Sequence, residues 1–303
     1  MNSQFVYDCR IGMVGANMDH LDRIESYGIG RVELVILPRE QQADVRRFLE
    51  RTRCSFSVHC PLFRDAGLEG YPLLASVFDT DPDRHERSLR LMDREIRQAA
   101  DIGAAHLVVH LQRSIGVLGE PPVPGWTRQR ALSVAIRAGE RLACIAEECG
   151  ICLHIENMMS QSLLARPEDY VALLDALPPE HVNLCLDVGH AALDAQKYGF
   201  SVVDLAHAVA PRIGSLHLYN NQIAHEFDFA VLRQEGRLRK CPLHPQQSTS
   251  EGWIDVGGVL DAVLAENPSA LPTLEVYFAL DLDRAGFREG LDWLAGKCEP
   301  HWA

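Results

Sequence analysis

Apolar and polar positions along this chain follow two alternating periods. Short runs of about six residues rich in Val, Ile and Leu separate longer stretches in which apolar residues recur every three or four positions. The short runs predict buried strands, and the longer stretches predict helices with one apolar face. We expect strands near 5–13, 31–37, 54–60, 105–111, 151–156, 182–187, 213–219 and 273–278. We expect helices near 18–27, 39–52, 83–102, 128–149, 168–177, 201–210, 256–266 and 284–296.

Eight strand-like segments, each followed by helix-forming sequence, predict an α/β fold of the (β/α)8 TIM-barrel type. No composition break or low-complexity linker divides residues 1–303, so we expect a single domain. Three connections are long, at 61–82, 112–126 and 220–254. Each follows a strand and therefore belongs on the face of the barrel where catalytic loops gather. The connection 220–254 predicts a lid-like insertion between strands 7 and 8.

Composition narrows the functional classes. The formal net charge of −13 argues against nucleic acid as the main partner, since phosphate neutralisation requires clustered Lys and Arg. The sequence contains no apolar run of membrane-spanning length and no visible signal peptide, which favours a cytoplasmic protein without a membrane partner. The cysteines number nine, and we interpret them as reduced thiols. The Cys149–Cys152 pair has CxxC spacing, but a redox pair favours its first Cys at a helix N-terminus, and Cys149 lies at the predicted end of a helix.

Seven of the eight predicted strands share one chemical feature, an acidic or imidazole residue near or just beyond the C-terminal end. These residues are Glu33, His59, His110, Glu156, Asp187, His190, His217 and Glu275. A parallel barrel gathers the C-terminal ends of its strands at one mouth, so we expect these side chains to converge. Buried carboxylates repel one another unless positive charge lies between them. The pattern therefore predicts a divalent metal site, with Zn²⁺ or Mn²⁺ favoured and Co²⁺ or Mg²⁺ as alternatives.

Short motifs at these strand ends carry a resemblance to a known family. The segments VELV, SVHCPLF, GAAHLVVH, HIEN, CLDVGH, GSLHL, SEGWID and TLEVY resemble the xylose-isomerase-like TIM-barrel superfamily. That superfamily includes sugar and sugar-phosphate isomerases and epimerases, together with endonuclease-IV-type phosphoesterases. The resemblance runs from about residue 30 to about residue 280 and implies a metal-dependent enzyme that can be oligomeric.

The resemblance to the isomerase branch implies four core metal ligands, Glu156, Asp187, His217 and Glu275. It further implies that Glu156 and Glu275 serve as catalytic acid and base. His190 matches a position that contacts substrate. We also predict Glu33 as a substrate-facing group or a group that supports the site. Arg237 is our predicted contact for a substrate phosphate, chosen among the cations Arg233, Arg237, Arg239 and Lys240 of the long connection.

The endonuclease-IV branch implies additional metal ligands at His59, His110, His190 and His244, with Glu156 bridging two ions. One position departs from that branch: Pro242 stands where an Asp ligand is expected, and proline cannot ligate through its side chain. A complete three-metal site is therefore not supported.

Two catalytic functions follow. The first is isomerisation or epimerisation of a sugar or sugar phosphate by proton transfer through an enediolate. The alternative is hydrolysis of a small phosphodiester by a di- or trinuclear metal centre, which the pair His59 and His110 favours. A third interpretation, a non-catalytic binding barrel, fits less well because seven or eight ligand-type residues are retained.

Overall fold

The computed structural model describes residues 5–64, 76–78, 81–111, 126–158, 164–222, 240–276 and 284–302. Eight parallel strands pair in chain order, and the eighth pairs with the first, so the sheet closes into a barrel. The strands are β1 (Gly12–Gly15), β2 (Arg31–Pro38), β3 (Ser55–Arg64), β4 (His106–Val109), β5 (Cys152–Glu156), β6 (Val182–Asp187), β7 (Ile213–Leu218) and β8 (Leu271–Leu274). The predicted single-domain (β/α)8 fold is confirmed.

Helices follow the strands and pack outside the barrel. They are α1 (Met18–Tyr27), α2 (Gln42–Thr52), α3 (Pro82–Asp101), α4 (Arg128–Cys149), α5 (Pro167–Asp175), α6 (Val188–Tyr198), α7 (Val202–Val209), α8 (Val256–Glu266) and α9 (Arg284–Trp302). Short 3₁₀ turns occupy Arg39–Gln41, Ala210–Arg212 and Thr249–Glu251. Among the helices that the structure describes, none is long and apolar enough to cross a membrane.

The helix α4 shows how local sequence sets these boundaries. The Thr127 side chain accepts a hydrogen bond from the Arg130 backbone nitrogen, which caps the helix N-terminus. The helix ends at Gly150, whose φ of 66° is a conformation that glycine adopts without strain. Small residues spaced three and four apart, including Ala131, Ala135 and Ala138, form its buried face against the barrel.

Two layers of polar side chains fill the barrel axis. Alternate residues of each strand face inward, so β2 contributes Arg31 and Glu33 while β5 contributes His154 and Glu156. All four are buried. TIM-barrel interiors are usually filled by Val, Ile and Leu. In this protein the apolar core lies mainly between the strands and the helices, and the axis itself is polar.

The first strand departs from the prediction. The strand β1 occupies Gly12–Gly15 rather than 5–13. The preceding residues run outside the ladder, where the Val6 nitrogen donates to the Gly28 oxygen at 2.9 Å and the Tyr7 hydroxyl donates to Asp292 at 2.8 Å. Tyr7 and Ile11 are therefore buried without pairing in the sheet, whereas Val6 is exposed.

Two other elements differ from expectation. The strand β3 continues to Arg64, because a register shift between Val35 and Leu37 lets Phe63 pair with Leu37. The helix α6 was not predicted at all, and it begins directly after β6 without an intervening loop.

The predicted lid region 220–254 is described in part. Antiparallel bridges join Asn220 to Cys241 and Gln222 to Trp253, which brings residues 240–254 back beside the end of β7. Residues 223–239 lie outside the described part of the chain, so the lid stays a prediction.

Candidate metal centre

Four of the predicted ligands meet at the mouth of the barrel. Glu156 ends β5, Asp187 ends β6, His217 lies in β7 and Glu275 directly follows β8. The register pairs Asp187 with His217 across neighbouring strands. Each of the four residues offers one ligand atom, and these atoms all lie within 4.8 Å of one another. Mixed carboxylate and imidazole donors at this spacing suit a divalent cation.

Hydrogen bonds hold one side of these ligands and leave the other side open. Asp187 Oδ1 accepts from the His190 backbone nitrogen at 2.8 Å and from the Tyr219 hydroxyl at 2.9 Å. His217 Nε2 donates to Glu33 Oε1 at 2.8 Å, which directs Nδ1 toward the carboxylates. Within the described residues, Asp187 Oδ2, His217 Nδ1 and Glu275 Oε2 are buried without a hydrogen-bond partner. Three unpaired acceptor atoms around one point are costly unless a cation joins them, so the donor set fits a metal.

The residues behind Asp187 fix its position. Asn157 Oδ1 accepts from the Asp187 backbone nitrogen at 2.7 Å, and Asn157 Nδ2 donates to the Asp187 carbonyl at 3.0 Å. A Cβ atom at Gly189 would lie 2.3 Å from the Tyr219 ring. Glycine at this position therefore lets Tyr219 reach Asp187.

The cluster has an uneven charge distribution. Burial raises the pKa of Asp187, and the nearby His190 and Lys240 only partly oppose this effect. Burial also acts to raise the pKa of Glu275, but Lys240 and His217 outweigh it and lower that pKa to about 2. Burial acts the same way on Glu156, yet His110 and His217 hold the pKa of that carboxyl well below its usual range. Glu156 and Glu275 are therefore ionised at neutral pH.

A second group of ligand-type residues adjoins the first. His59 Nε2 and His110 Nε2 lie 3.0 Å and 2.8 Å from the same oxygen, Glu156 Oε2. His59, His110 and Glu156 each offer an atom within metal-binding range of the others. Burial lowers the pKa of His110, which keeps this ring neutral and able to act as a ligand.

The remaining predicted site residues lie at different distances from the centre. His190 Nδ1 lies 3.2 Å from Glu156 Oε1 and hydrogen-bonds to the Asn157 carbonyl at 2.9 Å. Glu33 is fully buried beneath His217, where the Ser57 hydroxyl donates to its Oε2 at 3.3 Å. Among the described residues His244 joins none of the ligand groups, and its Nε2 lies 3.2 Å from Glu289 Oε2. Arg237 lies outside the described residues.

Sequence reasoning did not single out two contacts of the centre. Tyr219 directly follows β7 and donates to Asp187. Lys240, one of four cations considered for phosphate binding, is buried with its Nζ in direct contact with Glu275 Oε1. Tyr219 stands two residues after His217 and so shares its inward parity, a signal that could have identified it. Lys240 lies in a long connection without periodicity, and only the fold shows that it returns to the mouth.

Three solved structures show the same overall fold as this barrel. It is similar to a D-psicose 3-epimerase, with a TM-score of 0.69, 12% identity, and coverage of 95% of this chain and 99% of that chain. It is also similar to 3-keto-D-glucoside 4-epimerase from E. coli, with a TM-score of 0.65, 14% identity, and coverage of 95% and 99%. A third is a xylose isomerase-like TIM barrel protein from Mycobacterium smegmatis in complex with magnesium, with a TM-score of 0.63, 16% identity and full coverage of both chains at 100%.

At these identities the structural likeness establishes the fold, and function must be argued from the site. No curated protein sequence is significantly similar to this chain. The family model described as xylose isomerase-like TIM barrel matches residues 21–296, which covers every strand from β2 to β8 and the whole ligand cluster. The chain therefore belongs to the xylose isomerase-like TIM barrel family.

Proposed function

We propose that this protein is a metal-dependent isomerase or epimerase that acts on a sugar or sugar phosphate by proton transfer through an enediolate. One observation carries the proposal. Three buried ligand atoms without hydrogen-bond partners among the described residues, Asp187 Oδ2, His217 Nδ1 and Glu275 Oε2, surround the centre of a four-residue ligand group. Glu156 completes that group.

Glu156, Asp187, His217 and Glu275 would hold the metal. Zn²⁺ or Mn²⁺ suits this donor set best, and Mg²⁺ or Co²⁺ is the alternative. When bound, a divalent cation would polarise a substrate carbonyl and hold the neighbouring oxygen. Asp187 and His217 are held from behind by Tyr219 and Glu33, so they present their ligand atoms in fixed positions.

Glu156 and Glu275 would move the proton. Both are ionised at neutral pH, so either can accept the proton from the carbon beside the carbonyl. The other glutamate takes up a proton from water and delivers it to the enediolate, and the first glutamate then releases its proton to water. His190 contacts Glu156 and is the proposed donor to a substrate hydroxyl. Glu33 has no exposed surface, and its hydrogen bond to His217 favours a supporting role over direct substrate contact.

Two of the similar structures are a D-psicose 3-epimerase and a 3-keto-D-glucoside 4-epimerase, and we extend their substrate class to this chain. The substrate would then be a small carbohydrate with a carbonyl next to the reacting carbon. Arg237 stays our predicted contact for a substrate phosphate.

The test is exchange of substrate hydrogen with solvent. The protein is freed of metal by chelation, reconstituted with Mn²⁺ or Zn²⁺, and incubated in D₂O with ketohexoses, ketopentoses and their phosphates. We expect deuterium to enter beside the carbonyl, as seen by ¹H NMR, only in the reconstituted protein. Undiminished exchange after complete metal removal would contradict the proposal.

Hydrolysis of a small phosphodiester is the alternative function, favoured by one observation. His59 and His110 both point a ring nitrogen at Glu156 Oε2, an arrangement able to hold a second ion beside the first. A two-metal centre activates water and stabilises the charge that develops on a phosphodiester. Bis(p-nitrophenyl) phosphate cleavage, together with two tightly bound ions per chain and no deuterium exchange, would favour this function.

A further inference from the structure

A lysine lies inside the ligand cluster. Lys240 is only 6% exposed, and its Nζ contacts Glu275 Oε1 directly. The same Nζ lies 3.8 Å from Asp187 Oδ2 and 4.5 Å from the centroid of the Tyr219 ring. Lys240 therefore touches two of the three carboxylates that would hold a metal.

The backbone next to Lys240 is anchored. The Asn220 nitrogen donates to the Cys241 carbonyl at 2.8 Å, and the Cys241 nitrogen donates to the Asn220 carbonyl at 3.1 Å. Asn220 follows His217 by three residues and lies just beyond the end of β7. Its antiparallel bridge to Cys241 therefore fixes Lys240 beside that end of the strand. The backbone therefore holds the buried lysine side chain at the mouth of the barrel.

The net charge at the mouth depends on this lysine. Glu156, Asp187 and Glu275 carry three negative charges when ionised. One divalent ion and one ammonium group balance them, which matters because uncompensated buried charge is costly. Glu33 lies behind His217, and the buried Arg31 on the same inward face of β2 opposes its charge. Counted over these described groups, Lys240 and a second divalent ion would leave two excess positive charges.

Lys240 and a metal can occupy the mouth together. The ammonium uses Glu275 Oε1, whereas Glu275 Oε2 is the oxygen that lacks a partner among the described residues and lies 3.4 Å from His217 Nδ1. At Asp187, Oδ1 is bonded to Tyr219, and Oδ2 lies 3.8 Å from the ammonium, beyond hydrogen-bond distance. Glu275 Oε2 and Asp187 Oδ2 therefore make no hydrogen bond to the lysine, and both can face an ion.

We propose that Lys240 is a built-in cation that keeps this centre mononuclear. It shares Glu275 and Asp187 with one divalent ion, weakens the affinity for that ion, opposes entry of a second ion at His59, His110 and Glu156, and stabilises the metal-free barrel. The inference rests on the proposed metal-dependent function. It adds a reason why the chain would bind one ion although ligands for two are present.

The experiment compares metal binding in the full-length wild type, K240M, K240R and K297M. Lys297 is the matched control, since its Nζ pairs with Asp261 at 3.0 Å far from the mouth and its removal changes net charge equally. Metal-free proteins are titrated with Mn²⁺ and with Zn²⁺ by calorimetry, bound metal is counted by elemental analysis, and Tm is measured with and without metal.

We expect one ion per chain in wild type, K240R and K297M. The K240M variant should bind its first ion about tenfold more tightly or more, because a positive charge a few ångströms away has been removed. It should also take up a second ion, and its Tm should fall only in the metal-free state. If the Met side chain prevents folding, K240Q is titrated in the same way.

Unchanged affinity and stoichiometry in K240M or K240Q would overturn the inference. Weaker binding would overturn it as well, because it would mean that Lys240 merely orients Glu275. If wild type binds no divalent ion at all, the proposed function fails. If wild type binds one ion and the Lys240 variants match it, only the role of Lys240 fails.

Discussion

The barrel axis contains two polar layers that look alike in composition but differ in chemistry. The lower layer holds Arg31, His106 and His154, all buried. There Arg31 Nη2 donates to the Pro272 carbonyl and the Thr273 hydroxyl, each at 2.8 Å. The two imidazoles stack with ring centroids 4.0 Å apart. The upper layer is the carboxylate cluster at the mouth.

The unpaired atoms distinguish the layers. In the lower layer of the described chain they are Arg31 Nη1, which can only donate, and His106 Nε2 on a ring whose pKa burial lowers. In the upper layer they are two carboxylate oxygens and His217 Nδ1, each able to offer a lone pair to a cation. Buried polarity therefore does not by itself indicate a site. Converging lone-pair atoms that no hydrogen bond satisfies do, and they remain here although Lys240 contacts the other oxygen of Glu275.

The largest expected effect comes from the upper layer. Glu156→Gln removes a ligand and a proposed proton carrier, so deuterium exchange should fall by about 10²–10⁴-fold. The barrel should remain folded, since one of several mutually repelling carboxylates has been removed. Exchange rate, bound metal and circular dichroism are measured together. Near-normal exchange in a folded variant would remove Glu156 from the mechanism.

The second prediction concerns the hydrogen bond between Glu33 and His217, which supports the upper layer from below. Glu33→Gln keeps the shape of the side chain but weakens the hydrogen bond that orients His217, so metal affinity should fall about 10–100-fold. Calorimetric titration of the metal-free protein measures this change. Ser57→Ala, which removes only the 3.3 Å contact to Glu33, is the control and should have a smaller effect. Equal affinity in Glu33→Gln and wild type would separate Glu33 from the metal centre.

The lower layer should limit stability in acid. Burial lowers the pKa of His154 from 6.5 to about 3, and it also lowers that of His106. The folded state thus binds fewer protons than the unfolded state, so stability is fully present above about pH 6.5 and is lost as pH falls toward 3. Each imidazole should contribute about 1.4 kcal/mol per pH unit across that window.

Denaturant unfolding between pH 7 and pH 4.5 measures this dependence. The variant H106N/H154N should show a shallower fall in the free energy of unfolding than wild type. His207→Asn, which replaces an exposed histidine of α7, should follow wild type. Parallel curves for all three proteins would show that the stacked imidazoles do not control acid stability.

The smallest effect is expected for His59 and His110. The double change to Asn removes two hydrogen bonds to Glu156 but none of the four proposed ligands. A one-metal isomerase should therefore lose about tenfold or less in exchange rate, which is about 1.4 kcal/mol in the barrier. A two-metal phosphodiesterase would lose nearly all activity. Complete loss of exchange would show that these histidines belong to the isomerase centre itself.

The fold and the convergence of acidic and imidazole residues at the strand ends could be predicted from the sequence, because each depends on local pattern. The choice of four of these residues as metal ligands came from the family resemblance and stays a proposal. Glu156, Asp187, His217 and Glu275 each interrupt an apolar strand near its end, and a parallel barrel brings such ends together. The first strand was placed too early because Phe5, Val6 and Tyr7 are apolar but pair with no strand. A short strand such as Gly12–Gly15 has too few residues to show a period.

Other features depend on contacts that sequence does not display. The helix α6 was missed because Asp187 ends β6 and caps α6 at once, and Gly189 in its first turn resembles a helix breaker. From the sequence, Lys240 was one of four candidate cations in the long connection. Only the bridge between Asn220 and the neighbouring Cys241 shows that Lys240 lies at the mouth. His244 contacts Glu289 of α9, and a contact between residues so far apart in sequence could not be predicted from local pattern.

Asp187 serves the fold and the proposed metal site at once, so a single codon change can separate the two roles. The residue completes a strand, begins a helix by accepting from the His190 nitrogen, and presents Oδ2 to the mouth. Asparagine caps helices as well as aspartate does, and one nucleotide change separates the two codons. A lineage that took this step would keep a folded barrel while losing a charge that a metal needs. A single mutation could thus produce a folded homologue without metal-dependent activity, and Asn at position 187 would identify it.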